Sequence, residues 1–362
     1  MAIDAERHRE RRDRVRALAA STVGADLLIV THLPNVRYLT GFSGSNAVLV
    51  VGPDGDADLI GTDGRYVDQV DDQAPGLPTL IDRDTLSAVM GRIAGPRRTV
   101  AIESSLAVGD LPTVREAFGE PVVAPGLVEQ VRAVKDADEI AALARACTIT
   151  AGALAVLAGE IRVGDTEVAL ARRLEQLFGE LGAEDRAFDT IVGSGPHSAI
   201  PHHQPGPRAL TEGDLLVVDC GARIDGYHAD MTRTFVVGRD PEPWQSDLHG
   251  AVEEAQAAAT AQYRDGTPAR DIDGAARGVL ERAGLGDRFT HGLGHGVGLE
   301  IHEAPMVGAR STGTIGADMV ITVEPGAYLP GRGGVRIEDT LVVSDAAPRV
   351  LTEAPRGLRV VG

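Results

Sequence analysis

Four carboxylates in the second half of this chain stand at or inside its most apolar stretches. Asp219 ends the run LLVV, Asp230 lies in HADMTRT, Glu324 closes MVITV, and Glu338 falls within GGVRIEDTLVV. A charge drawn into an apolar interior costs several kcal/mol unless a partner compensates it. Together with His295, set among glycines in HGLGHGVG, these groups have spacings that suit a two-metal hydrolytic centre. Two divalent cations would cancel the four negative charges almost completely and leave a bridging water as nucleophile. Any fold for this chain must therefore bring five distant donors to one point.

Local geometry supports that convergence. Residues 214–221 and 228–237 read as strands, with Asp225-Gly226 between them as a hairpin turn. Centring the turn on those two residues sets Asp219 opposite Thr232 and puts Asp230 on the same face, diagonally across the ladder. Diagonal neighbours lie roughly 7–8 Å apart at Cα. Metal–oxygen bonds of about 2.0–2.2 Å can bridge that gap. Solvated aspartates are the ordinary alternative, but Asp219 follows an apolar run that pulls it inward.

The segment from His291 to Gly298 alternates with glycine at every second position, which argues against helix and against a dinucleotide-binding loop. As an extended strand it places His291, Leu293 and His295 on one face, with glycines that admit a neighbouring backbone. His302-Glu303 is not a helical zinc site, because the second histidine of that motif is replaced by Met306. Pro325-Gly326 must end the strand that carries Glu324. Arg336 shares a face with Glu338; an ion pair between those two would still leave the other three carboxylates without partners.

With 362 residues, the chain has room for two domains. The boundary falls in the breaker-rich stretch 121–135, giving an expected division into 1–127 and 128–362. The first part alternates short strands (27–30, 47–51, 99–102) with helix-like stretches (4–19, 64–72, 84–94), the pattern of a small α/β layer domain. Helices are expected around 137–158, through Leu170–Leu181 with Gly182 as stop, and near 246–264 and 269–283. A formal charge of −18, from 35 basic and 53 acidic residues, disfavours nucleic-acid and anionic-membrane partners. The basic cluster from Arg7 to Arg16 is interleaved with acids and reads as a solvated helix face. Runs such as LLIV and AVLVV are too short to span a bilayer, and no signal-like apolar stretch follows the basic cluster. Cys147 and Cys220 lack metal or redox spacing, so reduced thiols in a cytoplasmic protein are expected.

HGLGHGVGLEIHE, TVEPG and GGVRIEDT in combination, with SAIPHH upstream, resemble the creatinase/aminopeptidase superfamily, and within it the Xaa-Pro peptidases, prolidase and aminopeptidase P. NVRYLTGFSGSNA resembles the N-terminal domain of the short bacterial members. The resemblance covers essentially the whole chain. It implies an α/β N-terminal creatinase-like domain followed by an α+β pita-bread catalytic domain. It also implies two divalent metal ions per subunit, with Asp219 on one, His295 and Glu324 on the other, and Asp230 and Glu338 bridging both. Hydroxide between the ions would attack the scissile carbonyl while Glu324 shuttles its proton to the leaving nitrogen. His202 and His302 match histidines that stabilise the tetrahedral intermediate, His291 lines the proline-side pocket, and Arg336 is placed to meet a substrate carboxylate. His197 and His203 are unmatched.

An oxygen-rich site with one imidazole suits Mn²⁺, while Co²⁺ or Zn²⁺ could also occupy it. The implied substrates are short proline-containing peptides, and the implied assembly is a homodimer. The loop Thr40–Asn46 is expected to approach the substrate of the same or a partner subunit. SAIPHH and the short gap between Glu324 and Glu338 favour a dipeptidase, with an aminopeptidase acting on X-Pro-Y peptides as the alternative. An intact ligand set weighs against a creatinase-type hydrolase or a non-catalytic peptide-binding relative, and the N-terminal domain against a methionine aminopeptidase. An X-Pro bond is a tertiary amide without an N–H, so a compact pocket suits it better than an extended-strand cleft.

Overall fold

Uninterrupted apolar runs form the middle of a sheet in the first half of the protein. The computed structural model describes residues 5–95 and 98–362, and the chain divides into two compact units, Met1–Arg132 and Ala133–Gly362. The division falls at the end of helix Leu127–Ala133. An Arg132 Nη1–H bond to Asn35 Oδ1 at 2.6 Å and an Asn35 Nδ2–H bond to Glu129 Oε1 at 2.8 Å fasten that helix to the first unit.

The first unit holds a mixed sheet in the order Thr79–Ile81, Leu59–Thr62, Val48–Val51, Leu27–Val30, Val100–Ile102, Val122–Val123. Its central strands read LLIV and VLVV because every residue in them is buried. Helix Ala5–Val23 corresponds to the expected 4–19 stretch, whose residue 4 lies outside the described residues. The basic cluster on this helix is not simply solvated. Arg12 and Arg16 reach Asp58 at 2.7 and 2.8 Å, and Arg11 lies over the Tyr38 ring. Asp58 is 46 residues from Arg12, so local charge alternation gave no sign of the pairing. In the loop that follows helix Leu33–Thr40, Phe42 is buried edge-on against Tyr66 and Ser43 is exposed.

The second unit repeats one arrangement twice: a helix pair packed on a sheet. Helix Ala137–Glu160 opens with a capping box in which Asp136 and Glu139 satisfy each other's backbone N–H groups. Thr166 caps Glu167–Glu180, and the chain turns at left-handed Gly182. These helices bury Leu154, Leu157, Leu170, Leu174 and Phe178 against Leu216, Val218 and Phe235 of a sheet ordered Arg359–Val361, Met231–Val237, Leu215–Cys220, Ile191–Ser194. By length and composition Ala137–Glu160 could cross a membrane, yet its Ala142, Leu143, Ala146, Leu154 and Leu157 are packed inside this unit.

Helices Pro243–Thr260 and Ala269–Arg282 form the second pair. They pack on a sheet ordered Glu303–Val307, Gly294–Gly296, Val320–Val323, Asp339–Val342, Arg349–Val350. Leu215 and Val236 of the first sheet belong to this second core. Strand alternation therefore turns Leu216 and Val218 toward the first helix pair, and Leu215 and Asp219 toward the other half. The inner faces of the two halves meet there.

Candidate active site

Asp225 and Gly226 have φ of 50° and 75°, the left-handed pair that a two-residue hairpin of native twist requires. That turn sets the register. Ile224 pairs with Tyr227, Arg223 with His228, and farther down Asp219 with Thr232, as the sequence predicts. The ladder passes from one sheet to another at Gly221, where a Cβ would lie 1.8 Å from the Ala229 carbonyl oxygen. Only glycine fits that close approach. Asp219 and Asp230 line one cavity of about 380 Å³.

The second half supplies the other donors. Strand Gly294–Gly296 is pressed between two neighbours: a Cβ on Gly294 would meet Thr322 O at 2.1 Å, and one on Gly296 would meet Ala304 O at 2.3 Å. His295 Nδ1–H donates to the Gly296 carbonyl at 3.0 Å, which turns Nε2 toward the acids, 3.5 Å from both Asp230 Oδ2 and Glu324 Oε1. His291 and His295 face the cavity, but Leu293 is in the apolar core. The expected common face fails because the regular strand begins only at Gly294 and a bulge follows His295. Glu324 stands just beyond strand Val320–Val323, and Glu338 between Gly333–Arg336 and Asp339–Val342. Thr232 joins the halves, donating from Oγ1 to Glu338 Oε2 at 2.7 Å while its carbonyl accepts from Glu338 N at 3.1 Å.

Charge in the cavity is poorly balanced. Arg336 Nη2 donates to Asp219 Oδ2 at 2.6 Å, and its other donors go to Tyr328 Oη, the Pro201 carbonyl and Thr232 Oγ1. Asp219 Oδ1 is buried with no partner. Burial, then repulsion from the neighbouring acids, pushes the Asp230 and Glu338 carboxyls well above the ordinary range; burial chiefly pushes Glu324 up to about 8. Burial also draws His295 and His291 down to about 4 and lowers His302, so these imidazoles are neutral. An orphaned carboxylate oxygen in a cavity that also holds an imidazole nitrogen and three further acids belongs to a donor set that fits divalent cations.

The remaining expected residues also meet here. His202, His291, His302 and Arg336 all line the cavity, and the His302 ring stands edge-on to His295 at 4.4 Å. Sequence reading missed Tyr328, which accepts from Arg336 and donates its O–H to His291 Nε2 at 2.8 Å. The Nδ1–H of His291 is committed to the Gly292 carbonyl, which fixes that direction. It also missed the apolar wall of Phe188, Ile191 and Ile301.

The model of metallopeptidase family M24 matches residues 141–345, and that of the creatinase/prolidase N-terminal domain matches 11–134. This chain belongs to metallopeptidase family M24. Among M24 relatives, it is 34% identical to a Xaa-Pro dipeptidase of Pyrococcus horikoshii over 92% of this chain and 94% of that protein. A solved Xaa-Pro dipeptidase from Bacillus anthracis superposes with a TM-score of 0.92 at 32% identity, covering 99% of this chain and 100% of that one. An X-Pro aminopeptidase from Thermotoga maritima gives 0.85 at 32% identity, covering 95% and 99%. The expected pairing of a creatinase-like N-terminal domain with a pita-bread catalytic domain is the fold observed.

Proposed function

We propose that this M24 enzyme hydrolyses the peptide bond preceding proline in short peptides, Xaa-Pro dipeptides foremost. The observation that carries this reading is the cavity where Asp219, Asp230, His295, Glu324 and Glu338 meet with Arg336 as the guanidinium among them. These five residues would hold two divalent ions, with Mn²⁺ favoured by the oxygen-rich set. Bound there, the ions would supply a nucleophilic water and polarise the scissile carbonyl.

The protein's own groups do the rest. Glu324 takes the proton of the attacking water and returns it to the proline nitrogen, which must be protonated to leave. His202 and His302 donate hydrogen bonds to the oxygen that gains charge. His291 borders the proline pocket together with the apolar wall of Phe188, Ile191 and Ile301. A role for Arg336 at a substrate carboxylate would add to its hold on Asp219 rather than replace it. The resemblance to the Thermotoga maritima X-Pro aminopeptidase supports a second reading, removal of the first residue from X-Pro-Y peptides.

A matched assay of an X-Pro dipeptide and an X-Pro-Y tripeptide with added Mn²⁺ separates the two readings. Cleavage of the dipeptide is expected; cleavage of the tripeptide alone would move the assignment to the aminopeptidase, and cleavage of neither would refute both. We further assign the protein to the cytoplasm, where Cys147 and Cys220, both free and buried, would remain thiols. The homodimer implied by the family resemblance is checked by light scattering.

A further inference from the structure

Glu167 begins helix Glu167–Glu180, yet its side chain is wholly buried. Its carboxylate gathers hydrogen bonds from a single stretch of chain, 194–206. Ser194 donates from N at 2.8 Å and from Oγ at 2.7 Å, His197 from Nδ1 at 2.9 Å, His203 from Nε2 at 2.8 Å, and Gly206 from N at 3.3 Å. The two imidazole rings stack with centroids 4.3 Å apart. Burial alone would raise the Glu167 carboxyl, but the bonds from His203, Ser194 and His197 more than offset it and hold the group below its ordinary range.

The stretch gathered in this way carries His202, which faces the cavity. Its far side is tied down separately. Arg336 Nη1 donates to the Pro201 carbonyl at 3.2 Å, and Gly334 N donates to Ser198 Oγ at 2.9 Å. His202 therefore lies between two anchors, with its neighbour His203 on Glu167 and its neighbour Pro201 on Arg336. Glu167, His197 and His203 also come close enough together to suggest an ion site. Backbone N–H groups of Ser194 and Gly206 and the Ser194 hydroxyl already occupy the carboxylate, which is the pattern of a hydrogen-bond hub.

We propose that Glu167 is the positioning residue for His202: it fixes the 194–206 loop so that His202 meets the oxygen that gains charge during Xaa-Pro cleavage. The proposal rests on the function assigned above. Removing the partner that orients a metal ligand typically costs about 10–100-fold in activity, and a loss of that order is expected for a group that orients His202. Glu167→Gln should lower kcat on an X-Pro dipeptide by roughly that factor, with KM changed by less than about 3-fold, because the lost contact is made in the transition state.

A double-mutant cycle separates positioning from general damage. In a His202→Ala background, which removes the donor that Glu167 would position, Glu167→Gln should cause little additional loss of kcat. Bound metal per chain should be the same in wild type and Glu167→Gln. Should Glu167→Gln fail to fold, His203→Gln removes one arm of the hub and should give a smaller kcat loss that also vanishes in the His202→Ala background. Fully additive losses, or wild-type kcat in Glu167→Gln, would overturn the proposal. Absence of X-Pro cleavage by the wild type would instead overturn the functional reading beneath it.

Discussion

Glu338 and Asp339 are sequence neighbours, both buried, and are supplied with counter-charge very differently. Behind the strand, Asp339 accepts from Arg233 Nη2 at 2.7 Å, Arg356 Nε at 2.5 Å, Gln256 Nε2 at 2.8 Å and Thr352 Oγ1 at 2.8 Å. In front, Glu338 shares a cavity with Asp219, Asp230 and Glu324, and the arginine lining that cavity is bonded to Asp219. The fold thus sets two guanidinium groups on one carboxylate at the back and one among four at the front. A buried acid placed for stability is fully paired here. The deficit at the front is local, and it lies where bound cations would complete the charge balance.

Four experiments can break or sharpen that contrast. The largest effect is expected from Asp230→Ala, which should reduce Xaa-Pro hydrolysis to background. Compared in metal-free protein, its urea midpoint should not fall, since the change removes a buried acid crowded by Glu338, Asp219 and Glu324. A lower midpoint in that metal-free comparison would make Asp230 a structural acid. At the back, Asp339→Ala leaves Arg233 and Arg356 facing an empty position, and should cost about 3–5 kcal/mol of stability by denaturant titration. A loss near zero would dissolve the difference between the two faces.

Metal removal probes the front by pH. Asp230, Glu324 and Glu338 have folded-state values raised above their unfolded ones. Without cations, therefore, ionisation favours the unfolded chain, and stability falls as pH rises from about 4, the ordinary carboxylate value, toward 8. Chelation should lower Tm more at pH 8 than at pH 5; parallel curves with and without metal would contradict this. The smallest effect concerns His249, buried in helix Pro243–Thr260 and lowered in pKa chiefly by burial. Protonating it costs more when folded, so stability is lost as pH falls below its ordinary value near about 6.5. His249→Leu should flatten that acid limb in a pH series of urea midpoints, and an unchanged limb would exclude His249 as its source.

The sequence was most legible where one local signal sets geometry. Asp225-Gly226 admits essentially one tight hairpin, so the pairing of Asp219 with Thr232 could be read to the residue. Apolar stripes and caps marked the long helices of the second unit for the same reason. Legibility ended where the partner was distant or the residue had two uses. Glu167 after Thr166 looks like an ordinary first-turn acid, and its bond to His203 spans 36 residues. Arg336 shares a strand-like run with Glu338 but reaches Asp219, 117 residues away. The twofold helix-on-sheet plan left no repeat visible in the sequence, since each half places different side chains on its inner face. In the loop Thr40–Asn46, expected to approach a substrate, Phe42 is a core residue of its own unit while Ser43 is exposed, so substitution of Ser43 probes the loop without disturbing packing.

The most direct measurement is a titration of Mn²⁺ into metal-free protein, with bound ion and cleavage of an X-Pro dipeptide followed together. Turnover should appear as binding approaches two ions per chain, and Asp230→Ala should stay silent throughout. Near-normal turnover in protein stripped of both ions would contradict the account at its centre.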